Sequence, residues 1–515
     1  MEKDSKIWEK GTLSKTTPNQ QKIRDKTITA EKFSEMVKPG DWINFGGIGS
    51  DPTVTREAIF QRLGEGLDNL QNIELWQQAM PLGSEYGLTY DREAKYHILH
   101  EGFLHKGYRD NIKKGWMGHD WFQWGWAIHI NAEYARNFRK EKSKRAIDWG
   151  IQAIAKPEGN YVNGSYGVNN FMVTAKTCKK FVCEIREDYA WCEPGRNVNL
   201  HIDDVDYFVE VNCNNPKYQW PQMNERGIKA SKEEEKIAEH ILSVMRDGDC
   251  IQVGIGTLPG AVVLALANSS LKHIGIHTEM IGEYAFTLAE KGILDNSRKT
   301  IDTGRCSWAY ATPFDIERYY EWMHHNPFFA AYDINYTNNF LTLASINNML
   351  CINNFAQIDI RGQICSGNVG GRPISSTGGQ FQFIVGGSMS KGGRAILAAT
   401  SKAPDGRSRI VSMLDKGSVV DVPAQFVTYV ATEYGIVNLM ACTDAERAKK
   451  LISIAHPDDR YQLERESAAM DIKINHWMFT ICPDRRYPTT DDLKEHKYGY
   501  MDPLVIPNVI SKIND

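Results

Sequence analysis

Several stretches of the chain place reactive side chains beside glycines. Ile274-Gly275-Ile276-His277-Thr278-Glu279-Met280 reads as a short apolar strand ending in a polar tip. In open α/β sheets, ligands bind outside the carboxyl ends of the strands. A carboxylate at such a tip, Glu279, is placed for chemistry; a solvated loop glutamate is the plain alternative. Upstream, Gly254-Ile255-Gly256-Thr257-Leu258-Pro259 lies between a strand and a helix. Its glycines let a ligand approach the backbone, and the free N–H groups of a helix start favour an anion. Pro259 and Gly260 break the dinucleotide spacing, and no Gly-Lys-Ser/Thr follows as in a P-loop. Downstream, Ser375-Ser376-Thr377-Gly378-Gly379-Gln380-Phe381-Gln382-Phe383 offers paired glycines whose N–H groups are the parts of an oxyanion hole. Ser390-Lys391-Gly392-Gly393-Arg394 and Thr432-Glu433-Tyr434-Gly435-Ile436-Val437 complete the set. A solvated surface for Lys391 and Arg394, and a simple turn at Gly435, are their ordinary readings.

The elements that must hold these residues are announced by an internal echo. Val37-Lys38-Pro39-Gly40-Asp41-Trp42-Ile43-Asn44-Phe45-Gly46, with Pro52 after it, matches Met245-Arg246-Asp247-Gly248-Asp249-Cys250-Ile251-Gln252-Val253-Gly254, with Pro259 after it. Both read as helix end, Gly-Asp turn, strand, glycine loop, proline and new helix. Thr29 can cap a helix with Phe33, Met36 and Val37 on its apolar face. Ser231 and Glu234 form a capping-box pattern before Ile237, Ile241 and Val244. Gly40 and Gly248 stand where a helix end favours a left-handed residue. New helices are expected over Thr55 to Leu63 and Ala261 to Ala267, since proline near a helix start removes no needed N–H. Two copies of one unit imply two related α/β domains, divided in the polar stretch from Asn212 to Ser231.

Composition narrows the function. At 515 residues the chain exceeds what one core sustains. Its 42% hydrophobic and 24% charged residues are ordinary for a globular protein. A net charge of −4 argues against a dominant nucleic-acid surface. No apolar run approaches bilayer-spanning length, and the polar N-terminus has no secretory h-region. Ten cysteines are scattered without a CxxC pair, a pattern that fits reduced cytosolic thiols better than a disulfide framework or a zinc site.

In this order the motifs resemble the acetyl-CoA hydrolase/transferase family, the class I CoA-transferases. The likeness rests on GIGTLPGAV from Gly254, HTEM from His277, IDIRGQICSG from Ile358, the Thr377-Gly378-Gly379-Gln380 segment, SKGGRAI from Ser390, TEYGIVNL from Thr432 and IAHP from Ile454. His201 to Tyr207, with Val209-Glu210, adds to it in the first half. The resemblance implies two related open α/β domains with mostly parallel or mixed sheets flanked by helices. A polar arm over 1–26 would precede an N-terminal domain over 27–220 and a C-terminal domain over 221–515.

It also implies roles. Glu279 is the expected nucleophile, forming a glutamyl-CoA thioester by ping-pong exchange between a short-chain acyl-CoA and a carboxylic acid, with acetate as one partner. Gly379 corresponds to the oxyanion contact, Asn335 to an active-site asparagine, and Glu433 to a second glutamate that positions it. Gly254, Ile255, Gly256, Thr257, Gly378 and Gln380 are expected along coenzyme A, with Lys391 and Arg394 as candidates for its phosphates. Coenzyme A enters as substrate and covalent intermediate; no resident cofactor or metal is implied. A cytoplasmic homodimer without nucleic-acid or membrane partners is the expected state. Ser376, Gln382 and the Glu283-Tyr284 pair depart from the family pattern. The tryptophan-dense run Trp116 to Trp126 has core packing, an acid pocket or a subunit contact as its readings. An acyl-CoA hydrolase using the same glutamate is the nearest competing activity; an isomerase or a non-catalytic CoA scaffold lies further off.

Overall fold

The computed structural model describes residues 18–46, 49–63, 70, 72–77, 91, 97–101, 106–116, 118–119, 147–196, 198–215, 230–254, 256–313, 315–376 and 378–472. Two large sheets organise them. The first contains β1 (Trp42–Asn44), β2 (Ile73–Gln77), β3 (His97–Glu101), β4 (Gly118–His119), β5 (Trp149–Ala155), β6 (Lys180–Arg186) and β7 (Tyr207–Glu210) in the order β7-β6-β5-β1-β2-β3-β4. All of its pairings are parallel. The second contains β8 (Cys250–Val253), β9 (Gly275–Ile276), β10 (Met349–Asn354), β11 (Arg394–Ala398), β12 (Tyr429–Thr432) and β13 (Gly435–Asn438) in the order β9-β8-β10-β11-β12-β13. It is parallel except for the β12–β13 hairpin.

The echo in sequence is an echo in topology: β2-β1-β5-β6-β7 has the same order as β9-β8-β10-β11-β12. The turns before β1 and β8 are also alike. Gly40 and Gly248 take φ of +86° and +82°, which only glycine adopts freely. Asp41 Oδ2 accepts the Lys38 amide at 2.9 Å, and Asp249 Oδ2 accepts the Arg246 amide at 2.8 Å.

The helices follow their caps. Thr29 accepts the Lys32 amide at 3.0 Å at the start of a helix over Ala30–Met36. The Ser231/Glu234 capping box closes in both directions before Lys232–Leu242. The helices after the glycine loops run Thr53–Phe60 and Thr257–Ala267, so both begin ahead of the expected positions. Pro259 lies inside the first turn, where its missing N–H has no partner to lose. Within the expected polar arm, Pro18–Lys26 forms a helix. Ile23 is buried with Phe208, and Lys26 Nζ donates to the carbonyls of Ile202 and Val205 at 2.9 and 2.6 Å.

The two sheets are fused through a common core. Ala153, Tyr166 and Tyr189 from the first half pack in one buried cluster with Ile251, Val253, Ile276, Trp308 and Tyr319 from the second. Strand Phe329–Tyr332 also pairs with Pro194–Arg196 across the halves. Among the described residues, no helix is long and apolar enough to cross a membrane.

One buried ion pair fastens the amino ends of β8 and β11. Arg394 donates to Asp249 and to the Val244 carbonyl, with the two side chains 3% and 0% exposed. Arg394→Leu is therefore expected to cost about 3 kcal/mol, because it strands a buried carboxylate. A lower urea midpoint measures that loss; an unchanged midpoint would mean the pair carries no stability.

Candidate active site

Glu279 stands on rigid backbone. Strand β9 lies beside β8, and the His277 amide extends that ladder to the Ile251 carbonyl at 3.2 Å. Thr278 N–H then binds the Ser307 carbonyl at 2.9 Å. The Glu279 carbonyl accepts from the Ala309 and Tyr310 amides at 3.0 and 3.1 Å. With its main chain held at the sheet edge, Glu279 has a fixed side-chain direction.

Its carboxylate points at the start of the helix Gln380–Met389, whose N-cap is Gly379. Gly379 has φ of −82°, which any residue can adopt. Space is what demands glycine: a Cβ there would lie 2.0 Å from Glu279 Oε2 and 2.3 Å from Asn338 Nδ2. The Gly379 N–H and the Asn338 amide favour the ionised carboxylate, but burial outweighs them and raises the Glu279 carboxyl to about 7. Asn338 follows the short helix Ile334–Thr337 as its C-cap. Thr337 Oγ1 donates to Asn338 Oδ1 at 2.9 Å. That orients the amide so that Nδ2, buried and without a hydrogen-bond acceptor among the described residues, lies beside Gly379 on the side of Glu279.

The asparagine at the carboxylate is thus Asn338, one helical turn beyond the expected Asn335. Asn335 is half-buried on the helix itself, while Asn338 caps its end where the chain turns toward Glu279. The run Thr337-Asn338-Asn339 was the available signal, since asparagine favours helix ends; the sequence reading missed it.

The glycine-loop residues line the same edge. Gly254 N–H continues the ladder to the Ile352 carbonyl at 3.3 Å. Gly256, at φ +127°, is exposed, and the nearest atom to a Cβ there would be Asn354 Nδ2 at 3.9 Å. Gln380 Nε2 donates to the Asn354 carbonyl, and its Oε1 has no partner among the described residues. Gly378 adopts φ +54° just before Gly379. An arc from Gly254 through Asn354, Gln380 and Gly379 leads to Glu279. Thr257 sits in the arc, but its hydroxyl is engaged by Glu234. Ile255 lies outside the described residues, as do Thr377, residue 117 and residues 120–126 of the tryptophan-rich run.

Other expected contacts lie elsewhere. Arg394 is inside the protein on Asp249 and cannot meet a phosphate; as the first residue of β11 it faces the core beneath β8. Lys391 is exposed, but its carbonyl binds the Asn348 amide at the amino end of β10. That is the opposite end from Asn354, roughly 17 Å away at strand rise. Glu433 is on the correct edge but in the turn after β12, four strand spacings from β9, roughly 19 Å. Its carboxylate binds the Ser401 amide at 2.8 Å and the Ser401 hydroxyl. Beside Glu279, the Glu283-Tyr284 departure has a visible effect: Glu283 pairs with Arg318 at 3.5 Å, and the Tyr284 hydroxyl folds back to the Met280 carbonyl at 3.3 Å.

A buried carboxylate on a helix-start N–H, beside an open glycine loop, is equipped for acyl transfer. The comparisons agree. The acetyl-CoA hydrolase/transferase N-terminal domain matches residues 12–215 and the C-terminal domain of the same name matches residues 316–467. The chain belongs to the acetyl-CoA hydrolase/transferase family. A 4-hydroxybutyrate coenzyme A transferase of Clostridium kluyveri is 31% identical over 458 residues, 86% of this chain and 97% of that protein. A butyryl-CoA:acetate CoA-transferase of Anaerostipes caccae is 28% identical over 466 residues, 88% of this chain and 98% of the other. An acetyl-CoA hydrolase of Saccharomyces cerevisiae matches at 26% over 211 residues, 40% of this chain and 38% of that one. The solved structure of RipA from Yersinia pestis has the same fold, with a TM-score of 0.75 at 24% identity over 88% of this chain and all of that one. Within the acetyl-CoA hydrolase/transferase family, this chain is a CoA-transferase enzyme.

Two outcomes test the geometry. Gly379→Ala should cut turnover by 10²-fold or more, because its methyl group occupies the carboxylate's place; near-normal kcat would show that the contact is dispensable. Glu279→Gln tests the burial. Folded Glu279 keeps its proton until about pH 7, whereas the unfolded carboxyl loses it near 4.5. Wild-type stability therefore falls relative to Glu279→Gln as pH rises through that interval. The difference should reach about 3 kcal/mol by pH 8 and vanish below pH 4; thermal midpoints of both proteins across pH measure it.

Proposed function

We propose that this enzyme moves coenzyme A from a short-chain acyl-CoA to a carboxylic acid, with acetate as one partner, through a thioester on Glu279. The Glu279 carboxylate adds to the acyl carbon, and the CoA thiolate leaves to give a mixed anhydride. The thiolate then attacks the glutamyl carbonyl, releasing the first acid and forming glutamyl-CoA. A second carboxylate reverses the sequence and carries CoA away. Every step joins groups of similar acyl-transfer potential, and the kinetics are ping-pong.

The observation that carries this reading is the buried Glu279 carboxylate packed against Gly379, at the edge where the glycine loop opens. A charge on the glutamyl oxygen during thiolate attack would meet the Gly379 N–H and the Asn338 amide without reorganisation. Gly254, Gly256, Gly378 and Gln380 line the proposed path of coenzyme A. Burial favours transfer over hydrolysis, because water must be kept from the anhydride and the thioester. The resemblance also supports a polar arm before an N-terminal domain to about residue 220, then a C-terminal domain that carries Glu279. It supports a homodimer as well, and the scattered cysteines favour a cytoplasmic setting.

The decisive experiment is intact-mass measurement after mixing with butyryl-CoA. A covalent CoA adduct that maps to Glu279, is absent from Glu279→Ala and is cleared by acetate is the expected result. No adduct and no label exchange across a panel of short acyl thioesters would overturn the proposal. CoA release that ignores added acid would assign hydrolysis instead. The kcat/KM of the transferase should rise with pH through a midpoint near 7, as the carboxyl that must attack loses its proton.

A further inference from the structure

Behind Glu279 lies a second layer of polar side chains. His277, two residues earlier on the same tip, is fully buried. Its Nε2 lies 2.9 Å from the Thr337 carbonyl, an acceptor only, so Nε2 carries the proton. Nδ1 is buried without a partner among the described residues. The imidazole is kept neutral: burial first, then the nearby Lys299 charge, hold it down to about 3, against the pull of the Thr337 bond and of Asp302.

The acceptor is what gives this bond its consequence. Thr337 is joined directly to Asn338, the residue whose amide faces the carboxylate, and its hydroxyl orients that amide at 2.9 Å. A second tie secures the same short helix. Tyr336 donates its hydroxyl to Asp302 Oδ2 at 2.9 Å, and Ser307 Oγ donates to the same oxygen at 2.8 Å. Ser307 in turn accepts from Lys299 Nζ at 2.9 Å, and Lys299 also donates to the Ile276 carbonyl at 2.9 Å, on the strand that delivers His277. The Lys299 stem passes over Gly275, where a Cβ would stand 2.6 Å from its Cγ. The strand bearing Glu279 and the helix bearing Asn338 are therefore fastened together from behind at two points. The His277 bond is the one nearest the amide.

We infer that His277 is a positioning residue for the reaction at Glu279: its Nε2–H fixes the Thr337 carbonyl and thereby holds the Asn338 amide against the reacting carboxylate. The assignment rests on Glu279 as the reacting group. It makes the histidine of the His-Thr-Glu-Met motif a neutral donor with one fixed tautomer, neither an acid nor a base in the reaction.

The test is a double-mutant cycle read by pH profile. His277→Leu should lower kcat by 10- to 100-fold with the KM for butyryl-CoA within about twofold. It should also move the midpoint of kcat/KM upward, because the amide no longer offsets the burial of Glu279. His277→Gln, which keeps an N–H donor, should recover most of the rate. In an Asn338→Ala background, His277→Leu should cost less than about twofold. An unmoved midpoint, or the same loss in both backgrounds, would overturn the inference and leave His277 as packing. Should His277→Leu not fold, the wild-type protein decides. Selective 15N-histidine NMR should show His277 as the neutral Nε2–H tautomer from pH 5 to 8, and the Nδ1–H tautomer or a titration in that range would refute the assignment. Glu279→Ala, which should abolish exchange whatever residue 277 is, tests the nucleophile separately.

Discussion

The site depends on one close approach: a glutamate carboxylate brought against the backbone of Gly379 in a place from which water is largely excluded. Even a methyl group at Gly379 would overlap Oε2 and displace the carboxylate. Both partners must consequently be placed by elements too stiff to yield. The carboxylate comes from the tip of β9, pinned through its main chain to residues 307 to 310, and the glycine from the cap of a helix that packs against β10 and β11. Parallel strands make this possible, because their carboxyl ends all open on one edge.

The two copies of the strand-loop-helix unit use that edge differently. In the second half the glycine loop faces open space: a Cβ at Gly254 would meet nothing nearer than 3.6 Å, and one at Gly256 nothing nearer than 3.9 Å. In the first half the same loop is filled by protein. A Cβ at Gly49 would fall 2.4 Å from the carbonyls of Ala311 and Tyr166, and one at Gly167 2.4 Å from Ser50 Cβ. The first loop thus presses on the strand Tyr310–Ala311, which pairs with Met280–Ile281 just beyond Glu279. One copy remains accessible to a ligand, and the other has become the backing of the site. The shared core around Trp308 and Tyr319 joins the two for the same reason.

The echo, the caps and the sheet-edge position of Glu279 were legible because each depends on neighbours in sequence. A glycine at a helix end, an aspartate closing its own turn and a serine-glutamate box are local chemistry. Gly378 and Gly379 could also be read, as paired glycines before a largely apolar run. What escaped depends on contacts between distant segments. Arg394 sits in a basic, glycine-rich turn and looks solvent-facing, yet its partner Asp249 lies 145 positions away in the chain. The placement of Glu433 could not be read without the strand order, which puts β12 far from β9. Asn335 rather than Asn338 was a question of register in a helix of one turn, where three residues decide which side chain meets the carboxylate.

Burial explains why a carboxylate, usually a weak nucleophile, suits this reaction. In water its charge is stabilised by solvent that must be stripped before attack. At Glu279 that cost is met on folding, and it appears as a carboxyl raised to about 7. Had burial acted alone, the group would stay protonated and idle; had the donors been stronger, the anion would be too stable to attack. Asn338 and Gly379 oppose that burial and so favour the ionised form. The same two donors are aimed where an oxyanion would form on the glutamyl carbonyl. A site tuned this finely tolerates little drift in Asn338, which is why a neutral histidine with a single tautomer is a better anchor behind it than a residue that changes charge within the working range.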